Sequence, residues 1–85
     1  MNISRGEQRV LHVLVQGGYI RNQRADNGRI LHVDCFTRDG YRLADCTLDV
    51  FARLRRKRLI ESRSASPYRI SQKGRQAVRS QLDNR

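Results

Sequence analysis

The 85-residue chain carries 18 basic and 8 acidic side chains, which gives a formal net charge of +10 at pH 7. Its length predicts a single domain over residues 1–85. No apolar run approaches the roughly 18 residues of a membrane-spanning helix, and the N-terminus lacks the apolar core of a signal peptide. We therefore expect a cytoplasmic protein that has no membrane partner.

The positive charge is concentrated in the second part of the sequence. Residues 1–52 hold seven basic and six acidic side chains, whereas residues 53–85 hold eleven basic side chains and two acidic ones. Sixteen of the basic residues are arginine, whose planar fork pairs well with phosphates and carboxylates. This asymmetry favours a polyanion or an acidic protein surface as the partner.

The first predicted element is a helix over residues 4–16. Ser4 and Glu7 have the spacing of a capping box, in which each side chain accepts a backbone hydrogen bond from the other residue. Gly17 and Gly18 are expected to end the helix, because glycine tolerates a left-handed C-terminal cap. The apolar residues that follow the cap at helical spacing are Val10, Leu11, Val13 and Leu14.

A change to an alternating pattern at Tyr19 predicts antiparallel strands. Residues 19–24 form one strand and residues 30–37 its return, joined by a turn at Asp26-Asn27-Gly28, in which Asn-Gly tolerates positive φ. Residues 41–44 are either a third short strand or an extended segment that leads into the next helix. The side chains predicted to share one face of the return strand are Leu31, Val33 and Cys35.

The second predicted helix, within residues 47–58, has an apolar face and a basic face. Thr47 can cap it, and Asp49 lies in the first turn, where negative charge is favourable. At about 100° per residue, the apolar arc contains Leu48, Val50, Phe51 and Leu54. The opposite arc contains Asp49, Arg53, Arg56 and Lys57, and Arg55 lies at the border.

A second hairpin and a third helix complete the predicted α+β fold. Residues 59–63 and 68–70 are predicted strands, joined by a polar turn over residues 64–67. Ser71 can cap a helix over residues 72–82, which is also the surface at which a homodimer could form. The residues predicted on its inner side are Ala77, Val78 and Leu82.

The sequence has no pattern typical of catalysis, of a metal site or of a cofactor. It contains no Gly-rich phosphate loop and no ordered Ser/His/Asp set. The histidines and cysteines lack the spacing of metal ligands, and we expect reduced thiols. We therefore expect that the protein is not an enzyme and needs no cofactor. The histidines and cysteines that lack the spacing of metal ligands are His12, His32, Cys35 and Cys46.

Basic residues of the second helix and the second hairpin are the candidate binding residues. Together they could form one positive surface for double-stranded DNA, since phosphate contacts supply most non-specific affinity by releasing counterions. The same surface could meet an acidic protein partner. The alternative is a solvated face that keeps a small domain soluble. The candidate residues are Arg53, Arg56, Lys57, Arg63 and Arg69.

The segment from Thr47 onward resembles the second half of a winged-helix domain. A helix that ends in LRRKRLI is followed by a short two-stranded wing, and a capped helix begins in YRISQKGR. A winged-helix domain places another short helix before its recognition helix, whereas residues 19–44 are predicted to be β-structure. The resemblance therefore implies a fold that is winged-helix-like.

The whole chain resembles the YjhX-type toxin family. The resemblance lies in MNISRGEQRVLHVLVQGG, DCTLDVFARLRRKRLI, PYRI and RSQLDNR. It implies the toxin of a bacterial toxin–antitoxin pair, with a cognate antitoxin as partner and DNA topoisomerase I as the inhibited enzyme. Such an inhibitor could bind the enzyme, its DNA or both. The alternative is a winged-helix transcriptional regulator without toxin activity, for which a homodimer would be expected.

Overall fold

The structure, a computed structural model, describes residues 2–64 and 66–83. Within these ranges it contains helices and antiparallel sheets in the predicted order, which confirms the α+β class. Residues 42–43 form a short third strand, so the first of the two predicted alternatives is correct. The elements are α1 (Arg5–Val15), β1 (Tyr19–Arg24), β2 (Ile30–Phe36), β3 (Arg42–Leu43), α2 (Leu48–Arg56), β4 (Ile60–Glu61), β5 (Arg69–Ile70) and α3 (Gln72–Asp83).

The capping box of α1 is formed as predicted. The Glu7 backbone N–H donates to Ser4 Oγ at 3.2 Å, and the Ser4 N–H donates to Glu7 Oε1 at 3.3 Å. Gly17 has φ +104°, which an L side chain rarely adopts. At Gly18 a Cβ would lie 2.5 Å from the carbonyl oxygen of Phe36. The two glycines therefore let the chain turn tightly from α1 into the sheet.

The first sheet has the order β1-β2-β3, and Ile20 lies opposite Cys35 in its register. Val33 and Cys35 are buried as the alternation predicts, but Leu31 is 53% exposed. The register shifts beside it, since Gln23 lies opposite His32 and Arg24 opposite Ile30. This irregularity leaves Leu31 without an opposite residue, which explains why the simple alternation fails there.

Thr47 caps α2 through a hydrogen bond that its Oγ1 accepts from the Val50 N–H at 3.2 Å. Val50, Phe51 and Leu54 are buried as predicted, whereas Leu48 is 43% exposed. The prediction of Leu48 as a core residue is wrong. The Leu48 side chain points about 60° away from that of Phe51 around the helix axis. It therefore lies at the edge of the apolar arc, in the first turn of the helix.

We define residues 60–70 as the wing. Its two strands, β4 and β5, are shorter than predicted. Ile60 lies opposite Ile70, and Glu61 lies opposite Arg69. A separate bridge joins the wing to the first sheet, because Ile20 and Tyr68 exchange two backbone hydrogen bonds of 2.8 Å. Ala65, in the predicted turn, lies outside the described residues.

Ser71 joins the start of α3 to the end of α2. Its Oγ accepts from the Gly74 N–H at 3.0 Å and donates to the carbonyl of Arg58 at 2.7 Å. A Cβ at Gly74 would lie 2.2 Å from the carbonyl oxygen of Leu59, so the close packing of α3 requires glycine there. Val78 is buried as predicted, and the side chain of Leu82 lies outside the described part of the chain.

One core holds both sheets and all three helices together. Cys35 and Cys46 are free thiols within it, and a hydrogen bond with Cys46 together with burial raises the pKa of Cys35. Across the described ranges, no helix has the length and apolar character needed to cross a bilayer. The buried apolar residues are Val10, Leu11, Leu14, Ile20, Val33, Cys35, Cys46, Val50, Phe51, Leu54, Leu59, Ile60, Tyr68, Ile70 and Val78.

Candidate nucleic-acid interface

Two of the predicted binding residues, Arg53 and Lys57, are engaged in contacts within the domain. Lys57 Nζ donates to Glu7 Oε2 at 2.8 Å and to the backbone carbonyl of Asn2 at 2.7 Å. Arg53 pairs with Asp49 one helical turn earlier and lies 3.9 Å from Glu7 Oε1. We call Arg53 and Lys57 the junction cations, because they join the C-terminal part of α2 to the start of α1.

Glu7 is the acid at the centre of this junction, and its side chain is only 2% exposed. Burial raises the pKa of the Glu7 carboxyl, but hydrogen bonds from Lys57 and from the backbone and hydroxyl of Ser4 outweigh it. The net effect holds the pKa of Glu7 below its ordinary value. Glu7 is therefore a buried carboxylate whose charge is compensated within the domain.

Arg56 lies in a different environment from the junction cations. Arg55 and Arg56 are exposed, and neither forms an ion pair with any residue in the described ranges. Both line a groove of about 450 Å³ along α2 and beside the start of β2, which we call the α2 groove. Its lining residues are Ile30, Leu48, Phe51, Ala52, Arg55 and Arg56.

The wing brings the other two predicted residues together. Arg63 is 85% exposed and pairs with Glu61 at 3.1 Å. The guanidinium of Arg69 lies 5.6 Å from the centre of the Tyr19 ring, at cation–π distance, and the ring stacks on Phe36. Both arginines line a groove of about 220 Å³, which we call the wing groove. Its lining residues are Glu61, Arg63, Ser66, Pro67, Arg69, Ile70 and Arg75.

Two further arginines that sequence reasoning missed lie around the same turn. Arg75 reaches the wing groove from the first turn of α3. Arg21 lines a second groove of about 290 Å³, which also contains Ser66 and Pro67. The position of Arg75 follows from the Ser71 cap, which fixes where α3 begins. The position of Arg21 depends on the bridge between β1 and the wing, for which the sequence gives no local signal.

We call Arg21, Arg63, Arg69 and Arg75 the wing arginines. Among the residues that line the two grooves beside Ser66 and Pro67, Glu61 is the one carboxylate. A surface of several guanidinium groups with so little compensating negative charge can bind the phosphates of a nucleic-acid backbone. In the described part of the chain, no three His, Cys, Asp or Glu side chains are grouped so as to hold a metal ion.

Comparison with known proteins agrees with the resemblance seen in the sequence. A family model described as "Putative toxin of bacterial toxin-antitoxin pair" matches residues 1–85. A UPF0386 protein of Beijerinckia indica is 79% identical, and one of Brucella anthropi is 72% identical, each over the full length of both chains.

A more distant relative, the UPF0386 protein of Caulobacter vibrioides, is 58% identical over all of this chain and 93% of its own length. No solved structure matches the chain. The chain belongs to the YjhX-type toxin family, whose members are described as toxins of bacterial toxin–antitoxin pairs.

Proposed function

We propose that this toxin inhibits DNA topoisomerase I in the cytoplasm by binding the enzyme's DNA through the wing arginines, beside or together with the enzyme itself. The observation that carries the proposal is the wing groove, where Arg63, Arg69 and Arg75 lie together around a two-stranded turn. Topoisomerase I is the target that the resemblance to the family implies, and the wing arginines are the group of cations that line the grooves around Ser66 and Pro67.

The wing arginines suit a phosphate backbone for two reasons. Arg63 and Arg75 are exposed, so they can reach a ligand without reorganising the core. Arg69 is held over the Tyr19 ring, and a positioned guanidinium loses less conformational freedom when it binds. Each phosphate contact releases counterions from the nucleic acid, and several such contacts give useful affinity without base recognition.

The wing, and not α2, is the element that we expect to contact DNA. In a winged-helix domain, another short helix precedes the recognition helix in the chain, and the recognition helix lies in the major groove of DNA. Here the described residues between α1 and α2 include strands β1 to β3 and no helix, and the exposed surface of α2 is partly apolar at Leu48. The docking of a standard winged-helix protein is therefore a poor guide for this chain.

A relaxation assay tests the proposal. Purified bacterial topoisomerase I relaxes supercoiled plasmid in the presence of the wild-type chain, the variant Arg63→Gln/Arg75→Gln, or the control Lys73→Gln/Arg79→Gln. The two variants lose the same charge, and Lys73 and Arg79 are exposed on α3. We expect the wing variant to need about tenfold more protein for half-inhibition, and the control to match the wild type.

Two results would contradict the proposal. The wild-type chain could leave relaxation unchanged at every concentration, in which case topoisomerase I is not the target. Alternatively, the wing variant could inhibit as well as the wild type, in which case the wing arginines are not the inhibitory surface.

A further inference from the structure

The α2 groove is the second surface of this domain with the character of a binding site. At about 450 Å³ it is roughly twice as large as the wing groove, at about 220 Å³, and it falls within the size range of protein ligand pockets. It runs along α2 from Leu48 to Arg56, beside Ile30 at the start of β2. The DNA contact proposed above makes no use of it.

The floor of the α2 groove is apolar, and folding alone does not account for all of it. Phe51 is 2% exposed and belongs to the core, while Ile30 is half-buried beside it. Leu48 is different. It is the first residue of α2, and it is 43% exposed. The exposed part of Leu48 is not needed to start the helix, since the capping hydrogen bond comes from Thr47.

The rim of the α2 groove is basic and lacks internal partners. Arg55 and Arg56 have no ion pair in the described part of the chain. Basic residues in the last turn do interact favourably with the helix dipole, and this accounts for part of their presence. It does not account for their position beside an exposed leucine, whereas Arg53 on the same helix is paired with Asp49.

We propose that the α2 groove binds an acidic, amphipathic segment of the cognate antitoxin. Its apolar side chains would cover Leu48 and the exposed part of Ile30, and its carboxylates would pair with Arg55 and Arg56. The inference rests on the toxin role stated above but not on topoisomerase I as the target. The wing and α2 thus divide two tasks, contact with DNA and contact with the neutralising partner.

The chemistry of the groove favours this occupant over two others. A nucleic-acid backbone would pair with the arginines but would leave the apolar floor uncovered. A second copy of the chain carries the same net charge of +10, so a two-fold contact through this face would bring two strongly positive surfaces together. Complementary charge favours an acidic partner instead, and it also speeds the encounter.

Photo-crosslinking identifies the occupant directly. Ala52 lines the groove and is exposed, so p-benzoyl-phenylalanine at this position can react with whatever covers it. The full-length toxin is co-expressed with the antitoxin from the paired gene, irradiated, and analysed by mass spectrometry, with the same group at Gln72 as the control. We expect an adduct at position 52 with an antitoxin segment that combines apolar residues and carboxylates.

A binding measurement supplies the second test. The purified antitoxin is titrated with the wild-type toxin, with Arg55→Glu/Arg56→Glu, with Leu48→Ser, and with the control Lys73→Glu/Arg79→Glu. We expect the arginine reversal to weaken binding at least about tenfold, the leucine change to weaken it less, and the control to bind as the wild type does. Circular dichroism melts establish that each variant is folded.

The outcomes separate this inference from the proposed function. An adduct with a second toxin chain or with DNA, no adduct, or equal antitoxin affinity for the groove variant and the control would overturn the inference. None of these results bears on the relaxation assay, which depends on Arg63 and Arg75. Conversely, a toxin that leaves topoisomerase I unaffected would still be expected to bind its antitoxin through the α2 groove.

Discussion

The junction cations and the wing arginines have the same chemistry in the sequence and different roles in the structure. Arg53 and Lys57 lie beside Glu7 and Asp49, and their charges are compensated within the domain. The wing arginines surround a turn where Glu61 is the one carboxylate among the groove-lining residues. Although Arg63 pairs with Glu61, the four wing arginines share that one carboxylate, so the wing keeps a net positive charge and the junction does not.

The largest effect is expected at the core that supports both regions. Leu54 is completely buried in the core, so Leu54→Asp would place an unpaired charge there and leave a cavity. We expect a loss of more than about 4 kcal/mol in the free energy of unfolding, a large part of the stability of a domain this size. Circular dichroism should show an unfolded chain at 25 °C, and a cooperative melt like the wild type would contradict the assignment.

The next effect separates the junction from the wing. Glu7→Gln removes the carboxylate that compensates Lys57, and we expect it to lower the free energy of unfolding by about 1–3 kcal/mol. The variant should bind DNA as tightly as the wild type at a temperature where both are folded. Chemical denaturation and fluorescence anisotropy measure the two quantities. Unchanged stability together with altered DNA affinity would place Glu7 in the binding surface instead.

The acid dependence of stability provides a finer test of the same junction. The pKa of Glu7 is held below its ordinary value of 4.5, so its contribution is fully present above about pH 4.5 and is lost as the pH falls through the lower folded value. We expect the wild type to lose more stability than Glu7→Gln between pH 6 and pH 3. Parallel acid profiles for the two proteins would show that the junction does not hold a depressed pKa.

The smallest effect is expected at Arg58, which lies in the chain between the junction cations and the wing. Arg58 follows α2 with φ 62°, a conformation that favours glycine. We expect Arg58→Gly to be more stable than Arg58→Ala by up to about 1 kcal/mol, since both variants lose the charge and only one relieves the backbone. Thermal melts of the two variants measure the difference. A more stable alanine variant would contradict the role of the backbone conformation.

Local chemistry was enough to predict most of the fold. The Ser4–Glu7 capping box and the Thr47 cap depend on residues three apart, and both are formed in the structure. The Asn27-Gly28 turn likewise depends on adjacent residues, and it joins β1 to β2 as expected. Such signals are readable because the interacting groups are close in the sequence.

The composition of the candidate site was less predictable because it depends on distant contacts. The pairing of Lys57 with Glu7 spans fifty residues, and helix periodicity places Lys57 only on the polar side of α2. Arg21 reaches the wing through the Ile20–Tyr68 bridge, which no local pattern predicts. Leu48 lies at the edge of the apolar arc, where periodicity alone cannot decide between burial and exposure.

The salt dependence of DNA affinity is the measurement that tests the comparison most directly. Duplex DNA is titrated with the wild type, with Arg63→Gln/Arg75→Gln and with Arg53→Gln/Lys57→Gln, over salt concentrations at which all three are folded. We predict that the wing variant reduces the slope of log affinity against log salt by about 2, while the junction variant keeps the wild-type slope. A reduced slope for the junction variant and an unchanged slope for the wing variant would contradict the account.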